Sequence, residues 1–122
     1  MTVLKSYQDL EVWKKSIAWV ETIYNISTNF PLEEKYGMTS QLRRAAVSVP
    51  ANIAEGAARS GTGEFLQFLS VAGGSLAEVE TLLILAHRLK LLPKEKAEML
   101  LDEAKEIGKM LSGLKRSLRS KS

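Results

Sequence analysis

Apolar residues recur at spacings of three and four along four segments of the chain, and no segment shows the strict alternation typical of a strand. This spacing puts the apolar side chains on one side of a helix. It predicts helices over about Asp9–Asn29, Thr39–Arg59 and Gly63–Lys90, with a fourth beginning near Pro93. The connections are short, and short connections join antiparallel neighbours. The sequence therefore predicts an all-α fold, an antiparallel up-down-up-down four-helix bundle.

The whole chain, residues 1–122, is expected to form this bundle as a single domain, because its length is ordinary for one domain. Pro50 lies inside the second predicted helix and lacks a backbone N–H, so we expect the helix to be kinked there. Ser6 and Asp9 have the spacing of a capping box and are expected to cap the first helix.

The first predicted helix has two apolar stripes side by side. One stripe, expected to face the bundle core, contains Leu10, Trp13, Ile17, Val20 and Tyr24. The second stripe contains Val12, Trp19, Ile23, Ile26 and Phe30. A lone bundle would expose one of the two, and a large exposed apolar patch marks an interface. We therefore expect the second stripe to be an oligomer face.

Each of the other helices has one apolar face that suits the core. The expected core positions are Leu42, Ala45, Val49, Ile53 and Ala57 in the second helix, Phe65, Phe68, Ala72, Leu76, Val79, Leu83 and Ala86 in the third, and Ala97, Leu100, Ala104, Ile107, Leu111, Leu114 and Leu118 in the fourth. The pair Gly73 and Gly74 falls within the third helix, where each glycine costs about 1 kcal/mol relative to alanine. We expect another backbone or a bound group to approach this pair closely.

A polar stripe follows the second helix, in steps of three or four residues. It contains Gln41, Arg44, Ser48, Asn52, Glu55 and Arg59. Folding the third helix back antiparallel brings Arg44 level with Glu78, Ser48 with Gly74, Asn52 with Ser70, and Arg59 with Glu64. The sequence predicts a partly buried polar seam in which opposite charges pair, because an unpaired buried charge is costly. The alternative is a binding groove, in which both arginines face a phosphate or a carboxylate.

The net charge of +3 comes from the C-terminal end, residues 113–122. Four basic residues lie there with no acid among them: Lys115, Arg116, Arg119 and Lys121. Removing these four from the 17 basic residues leaves 13 against 14 acidic ones, so the remainder is close to neutral. The basic end is either a solvated helix terminus, favoured by the helix dipole, or a contact for nucleic acid.

Few constellations for catalysis exist in the chain. It has no cysteine and one histidine, His87, so neither a thiolate metal site nor a paired Glu-x-x-His site is available. Helical RNA-cleaving domains have an arginine shortly before a histidine, but no arginine lies between Arg59 and His87. We expect no enzymatic activity, no metal and no cofactor.

The start of the chain has no apolar signal region, and its apolar runs are short, so we expect a cytoplasmic protein with no membrane contact.

Four segments carry a family resemblance: Tyr7–Trp13, Gln41–Gly56, Glu64–Phe65 and Ala72–Thr81. The chain closely resembles the four-helix-bundle family named for proteins encoded in intervening sequences of bacterial large-subunit ribosomal RNA genes. The accessory variability determinant proteins of diversity-generating retroelements look like relatives. One departure is Gly61-Thr62-Gly63, where the family usually has a serine and lysines. The third helix therefore lacks a capping box, and this turn is less basic.

The resemblance implies up-down bundles that assemble into ring-shaped homopentamers, with no enzymatic activity established. The retroelement relatives associate with a reverse transcriptase and nucleic acid. We expect a non-enzymatic homo-oligomer, a pentamer by resemblance, that binds RNA or DNA or a nucleic-acid enzyme. The candidate nucleic-acid-binding residues are Arg43, Lys115, Arg116, Arg119 and Lys121. The alternative is a protein–protein interaction scaffold with no nucleic-acid role.

Overall fold

The protein is an all-α bundle, described here by a computed structural model over residues 6–121. Its four helices are α1 (Glu11–Ser27), α2 (Met38–Ala57), α3 (Thr62–Arg88) and α4 (Lys94–Ser120). Short 3-10 helices at Tyr7–Asp9 and Leu32–Glu34 precede α1 and α2. The predicted four-helix fold is confirmed, and no strand occurs within the described range. Residues 1–5 and 122, which the expected domain and basic end include, lie outside it.

Each helix packs against the next in sequence, and α4 packs against α1; the α2–α3 interface is the most extensive. Ser48 of α2 contacts Ser75 of α3, while Gly56, further along α2, meets Phe68, which is earlier in α3. These two contacts run in opposite senses along the chain, as antiparallel helices require. Pro50 lies inside α2 and is buried. The up-down-up-down order of all four helices and a kink at Pro50 stay predictions.

The expected oligomer face on α1 is wrong, because that stripe faces the core. Val12, Trp19, Ile23 and Phe30 are buried and Ile26 is half-buried against them. The indole N–H of Trp19 donates a 3.1 Å hydrogen bond to the backbone carbonyl oxygen of Leu100 in α4. Of the stripe that we expected in the core, Val20 is buried, Tyr24 is exposed, and Leu10, Trp13 and Ile17 are half-buried.

Two buried serines explain this reversal. Ser16 and Ser27 lie in line with Val12, Trp19 and Ile23, at helical spacing on the buried side of α1. The Ser16 hydroxyl donates to the carbonyl oxygen of Trp13 at 2.8 Å, and the Ser27 hydroxyl to that of Tyr24 at 3.2 Å. A hydroxyl that bonds its own helix leaves no unsatisfied group in the core. Apolar residues alone therefore did not identify the buried line.

The helix termini differ from the expectations in one case and agree in another. Ser6 and Asp9 do form a reciprocal capping box, but it caps the 3-10 helix Tyr7–Asp9 rather than α1. Gly61 is the N-cap of α3 and provides no side-chain hydrogen bond, as the departure from the family pattern predicts. The first turn of α3 therefore depends on packing for its stability.

The expectation for Gly73 and Gly74 is also wrong. A Cβ atom at either position would have no neighbour within 4 Å. The close approach occurs instead at Gly56, in the last turn of α2, where a Cβ atom would lie 2.7 Å from the Cβ atom of Phe68. Gly56 thus allows α2 and α3 to meet, whereas the glycine pair leaves a stretch of α3 without side chains on its outer surface.

The fourth helix follows the prediction closely. Its expected core positions from Ala97 to Leu111 are buried, and Leu114 and Leu118 are half-buried against the core.

In α3, Ala72, Leu76, Val79, Leu83 and Ala86 are buried. This helix also exposes apolar side chains, and it is long and apolar enough to span a bilayer by length and composition alone, a test that the core helix of a soluble protein can also meet.

Candidate nucleic-acid interface

The basic residues near the C-terminus extend a stripe that begins earlier on α4. Lys105, Lys109, Ser112, Arg116 and Arg119 follow each other at spacings of four, three, four and three, which places them on one side of the helix. At 1.5 Å per residue this basic stripe is about 21 Å long. Ser112 and all four basic side chains are exposed.

A shallow groove of about 420 Å³ runs beside the basic stripe, lined by Lys105, Gly108, Lys109, Ser112 and Arg116. Gly108 forms a low point in it, with the Leu76 side chain of α3 just beneath. Lys109 approaches the carboxylate of Glu106 at 4.0 Å, and both side chains are largely exposed. Such an exposed pair contributes little. The groove therefore presents cationic side chains to solvent.

Two further candidates lie off this line. Lys115 is half-buried and Lys121 is exposed beyond the last turn of α4. Both lie off the side of α4 that holds the stripe, and we call the stripe together with these two residues the basic region of α4. Lys115 and Lys121 make no ion pair in the described part of the chain.

Arg43 does not belong to this region. Its guanidinium donates from Nε to the Ser27 hydroxyl at 2.8 Å and from Nη2 to the Tyr24 carbonyl oxygen at 3.1 Å. It also stacks on the Tyr24 ring, 4.6 Å from the centroid. These contacts are near the C-terminal end of α1, whereas Gly113 and Leu114 of α4 lie beside its N-terminal end. Arg43 therefore joins α2 to α1, and the five candidates do not form one surface.

The middle of the predicted polar seam is a hydrogen-bond network between α2 and α3. The hydroxyl oxygens of Ser48 and Ser75 lie 2.8 Å apart, one residue from the predicted partner Gly74. Asn52 donates from its amide nitrogen to the Ser48 hydroxyl at 2.9 Å and to the Ser48 carbonyl oxygen at 2.8 Å. All three residues are half-buried. The small polar residues therefore connect the two helices.

The charged ends of the seam do not pair as predicted. Arg44 and Glu78 are both exposed, and no ion pair joins them. Arg59, just beyond the end of α2, contacts Glu55 of that helix at 3.1 Å and lies over the Phe68 ring, 5.0 Å from its centroid, rather than pairing with Glu64. Exposed charges remain hydrated, so they gain little by pairing.

Arg44 and Glu78 instead line an open groove between α2 and α3. Its volume is about 420 Å³, and its walls also include Tyr36, Ser40, Gln41, Ala45, Ser48 and Ser75. Tyr36 comes from the loop before α2 and is 87% exposed. We call this site the α2–α3 groove. It fits the binding-groove alternative for Arg44, whereas Arg59 does not line it.

His87 and the acidic residues form no metal site in the described part of the chain. His87 is exposed, and its Nδ1 lies 3.1 Å from the carbonyl oxygen of Leu92, in the turn between α3 and α4. No cluster of three or more His, Asp or Glu side chains suited to a metal occurs among residues 6–121.

Sequence reasoning missed Lys105, Lys109 and Tyr36. The two lysines were detectable, because they continue the spacing of Arg116 and Arg119 toward the N-terminus of α4. Tyr36 had no periodic signal, since it lies in the connection between α1 and α2, and only the fold brings it next to Arg44 and Glu78.

Comparison with known proteins identifies the family. A family model described as 23S rRNA-intervening sequence protein matches residues 8–113. No curated protein matches the chain. Among solved structures, it is similar to the crystal structure of a protein with unknown function from the S23 ribosomal protein family of Bacteroides thetaiotaomicron VPI-5482, with a TM-score of 0.77 and 26% identity over 85% of this chain and 97% of that one. Neither description names an enzymatic activity. The chain therefore belongs to the 23S rRNA-intervening sequence protein family.

Proposed function

We propose that this protein is a non-enzymatic, homo-oligomeric bundle that binds RNA through the basic region of α4. The observation that carries the proposal is the basic stripe from Lys105 to Arg119, whose cations share one side of a helix beside an open groove. Phosphates supply most of the affinity in nonspecific binding to nucleic acid, and each neutralised phosphate releases counterions. The stripe is about 21 Å long, and its four basic side chains can each contact one phosphate.

Assembly into a ring, a pentamer by resemblance to the family, would repeat the basic stripe around the oligomer. Linked sites raise the effective concentration of each further contact, so the modest charge of one chain is multiplied. Since the second stripe of α1 is buried, the subunit contact needs another surface. Val47 of α2 and Val71, Ile84 and Leu85 of α3 are exposed apolar side chains, and each is a candidate for such a contact.

Filter binding to a structured RNA at two salt concentrations tests the RNA proposal. We expect binding at low salt that weakens steeply as salt rises. The double variant Lys105→Gln/Arg116→Gln should reduce the slope of log K against log salt by about 0.7 to 0.9 for each lost phosphate contact. The control Lys94→Gln/Lys96→Gln removes the same charge at the other end of α4. Absence of binding by the unaltered protein at low salt would overturn the proposal.

The assembly has its own test, which is the mass of the protein in solution by light scattering. A multiple of the 13.5 kDa chain mass supports the oligomer, and five copies support the ring. A monomer at micromolar concentration would overturn both the oligomer and the multivalent argument.

A second candidate function is a protein–protein interaction scaffold with no nucleic-acid role. The exposed apolar side chains Val71, Ile84 and Leu85 favour it, because apolar surface of this kind suits a protein partner. In that case removal of residues 113–122 leaves partner binding unchanged, and no RNA is retained at low salt.

A further inference from the structure

The α2–α3 groove combines side chains that the basic stripe lacks. An exposed tyrosine ring, an arginine and a carboxylate line it, together with the amide of Gln41 and the hydroxyl of Ser40. Its volume of about 420 Å³ falls in the range of small-ligand pockets, which is about 300–1,000 Å³. The surroundings are therefore those of a site for one small polar molecule or one unit of a polymer.

Tyr36 is available for stacking. It is 87% exposed, and the ammonium group of Lys35 lies over one face of the ring, 5.5 Å from the centroid, so a base would stack on the other face. In single-strand-binding proteins, replacing such a ring with alanine costs about 1–3 kcal/mol of binding free energy per stacked base. Cations contribute further through cation–π contacts. Because the Tyr36 ring is not part of the core, it is available to contact a planar ligand.

Arg44 and Glu78 divide the remaining recognition between them. Neither makes an ion pair within the described residues, so the guanidinium is available to a phosphate and the carboxylate to a donor. Arginine matches phosphate oxygens with two parallel N–H donors. A carboxylate repels phosphate but accepts hydrogen bonds from the exocyclic amino group of a base such as cytosine. The two charges therefore favour opposite ends of a nucleotide.

The polar side chains at the base of the groove already have hydrogen-bond partners. Ser48 and Ser75 bond to each other and Asn52 bonds to Ser48, so these groups hold the two walls at a fixed separation. The recognition groups at the rim come from the loop before α2, from α2 and from α3. The packing of α2 against α3 therefore fixes the backbone positions of Arg44 and Glu78.

We propose that the α2–α3 groove binds one nucleotide of a single-stranded nucleic acid, with its base against Tyr36, its amino group at Glu78 and its phosphate at Arg44. This inference rests on the proposed function and deepens it, since it adds recognition of unpaired bases to phosphate binding by the basic stripe. A free nucleotide has the same chemistry and would occupy the same groove.

Fluorescence anisotropy with a labelled single-stranded RNA tests the groove, with a duplex RNA and adenosine or cytidine monophosphate as further probes. Tyr36→Leu should lower the affinity for the single strand about tenfold, because stacking is lost. Tyr36→Phe, which keeps the ring, should stay within about twofold. Affinity for the duplex, which depends on the basic stripe, should be unchanged in both variants. Leu32→Ala is the control, since Leu32 is 84% exposed in the same loop but does not line the groove.

The outcomes separate the two proposals. Equal affinity of the unaltered protein and Tyr36→Leu for the single strand overturns the groove but leaves RNA binding by α4 intact. Binding of single strands and monophosphates that depends on Tyr36, with no binding of structured RNA at low salt, supports the groove and overturns the function proposed for α4. Competition by monophosphates at micromolar concentration identifies a free nucleotide as the ligand, whereas competition by oligonucleotides alone identifies a strand.

Discussion

Gly56 and Phe68 are in contact where the end of α2 crosses the start of α3, so closely that a Cβ atom on the glycine would lie 2.7 Å from the Cβ atom of the phenylalanine. Phe65, one turn earlier in α3, has a ring atom 3.0 Å from the same position. No side chain fits between the helices at this point. The separation of α2 and α3 near their connecting turn is therefore set by the absence of one methyl group.

We expect Gly56→Ala to lower the free energy of unfolding by about 1–3 kcal/mol, because the added methyl group forces two packed helices apart. Gly74→Ala is the matched change in α3, where a methyl group meets nothing within 4 Å. That variant should gain about 0.5–1 kcal/mol from helix propensity. Urea unfolding measures both, and equal effects of the two substitutions would contradict the packing described here.

Neighbouring arginines on α2 should differ in their effect on stability. Arg43→Ala removes hydrogen bonds to Ser27 and Tyr24 and the contact with the Tyr24 ring, so we expect a loss of about 1–2 kcal/mol. Arg44→Ala removes an exposed charge without an ion pair and should change the free energy of unfolding by less than about 0.5 kcal/mol. Thermal unfolding of the two variants in the same buffer measures the difference. A large loss of unfolding free energy in Arg44→Ala would instead indicate that Arg44 forms a buried pair with Glu78.

Ser48 and Ser75 should be energetically coupled. Ser48→Ala leaves the Ser75 hydroxyl without its partner in the half-buried seam and removes one of the two hydrogen bonds of the Asn52 amide, which should cost about 1–2 kcal/mol. The double variant Ser48→Ala/Ser75→Ala should be less destabilised than the sum of the single changes, by about 0.5–1.5 kcal/mol. Simple additivity in this double-mutant cycle would show that the hydroxyl–hydroxyl contact contributes nothing.

Two isoleucines of α1 distinguish its buried side from its flank. Ile23 is buried, so Ile23→Ala should cost about 2–5 kcal/mol. Ile17 is half-buried, and Ile17→Ala should cost less than half as much. Urea unfolding of the purified variants gives both values. A larger loss at Ile17 would mean that the stripe containing Ile17, and not the one containing Ile23, faces the core.

The contrast between α4 and α1 shows which parts of the fold the sequence determines. The core side of α4 was predictable because apolar residues there occupy one side and charged residues the rest. On α1, apolar residues surround more of the helix, and periodicity alone favoured the wrong stripe. The deciding residues, Ser16 and Ser27, are polar, and their burial depends on hydrogen bonds to carbonyl oxygens of their own helix.

The candidate sites were predictable to a similar, partial degree. The antiparallel register located the Ser48 contact within one residue, because helix geometry fixes where short side chains meet. The register did not determine the partners of Arg44 and Arg59, because long charged side chains can reach several alternatives. Arg44 is exposed to solvent, whereas Arg59 contacts the Phe68 ring and Glu55. The connection that carries Tyr36 has no period and could be placed only by the fold.

The hydrogen bond between Arg43 and Ser27 has a consequence for how α1 is rotated about its own axis. Because apolar residues lie on more than one side of α1, the apolar pattern of the sequence alone does not fix that rotation. The Ser27 hydroxyl accepts from the Arg43 side chain of α2 while donating to its own helix, and this geometry exists at one angle only. This polar contact thus favours one of the rotations of α1 that would bury an apolar stripe. Replacing either residue removes this polar contact from those that hold the rotation of α1.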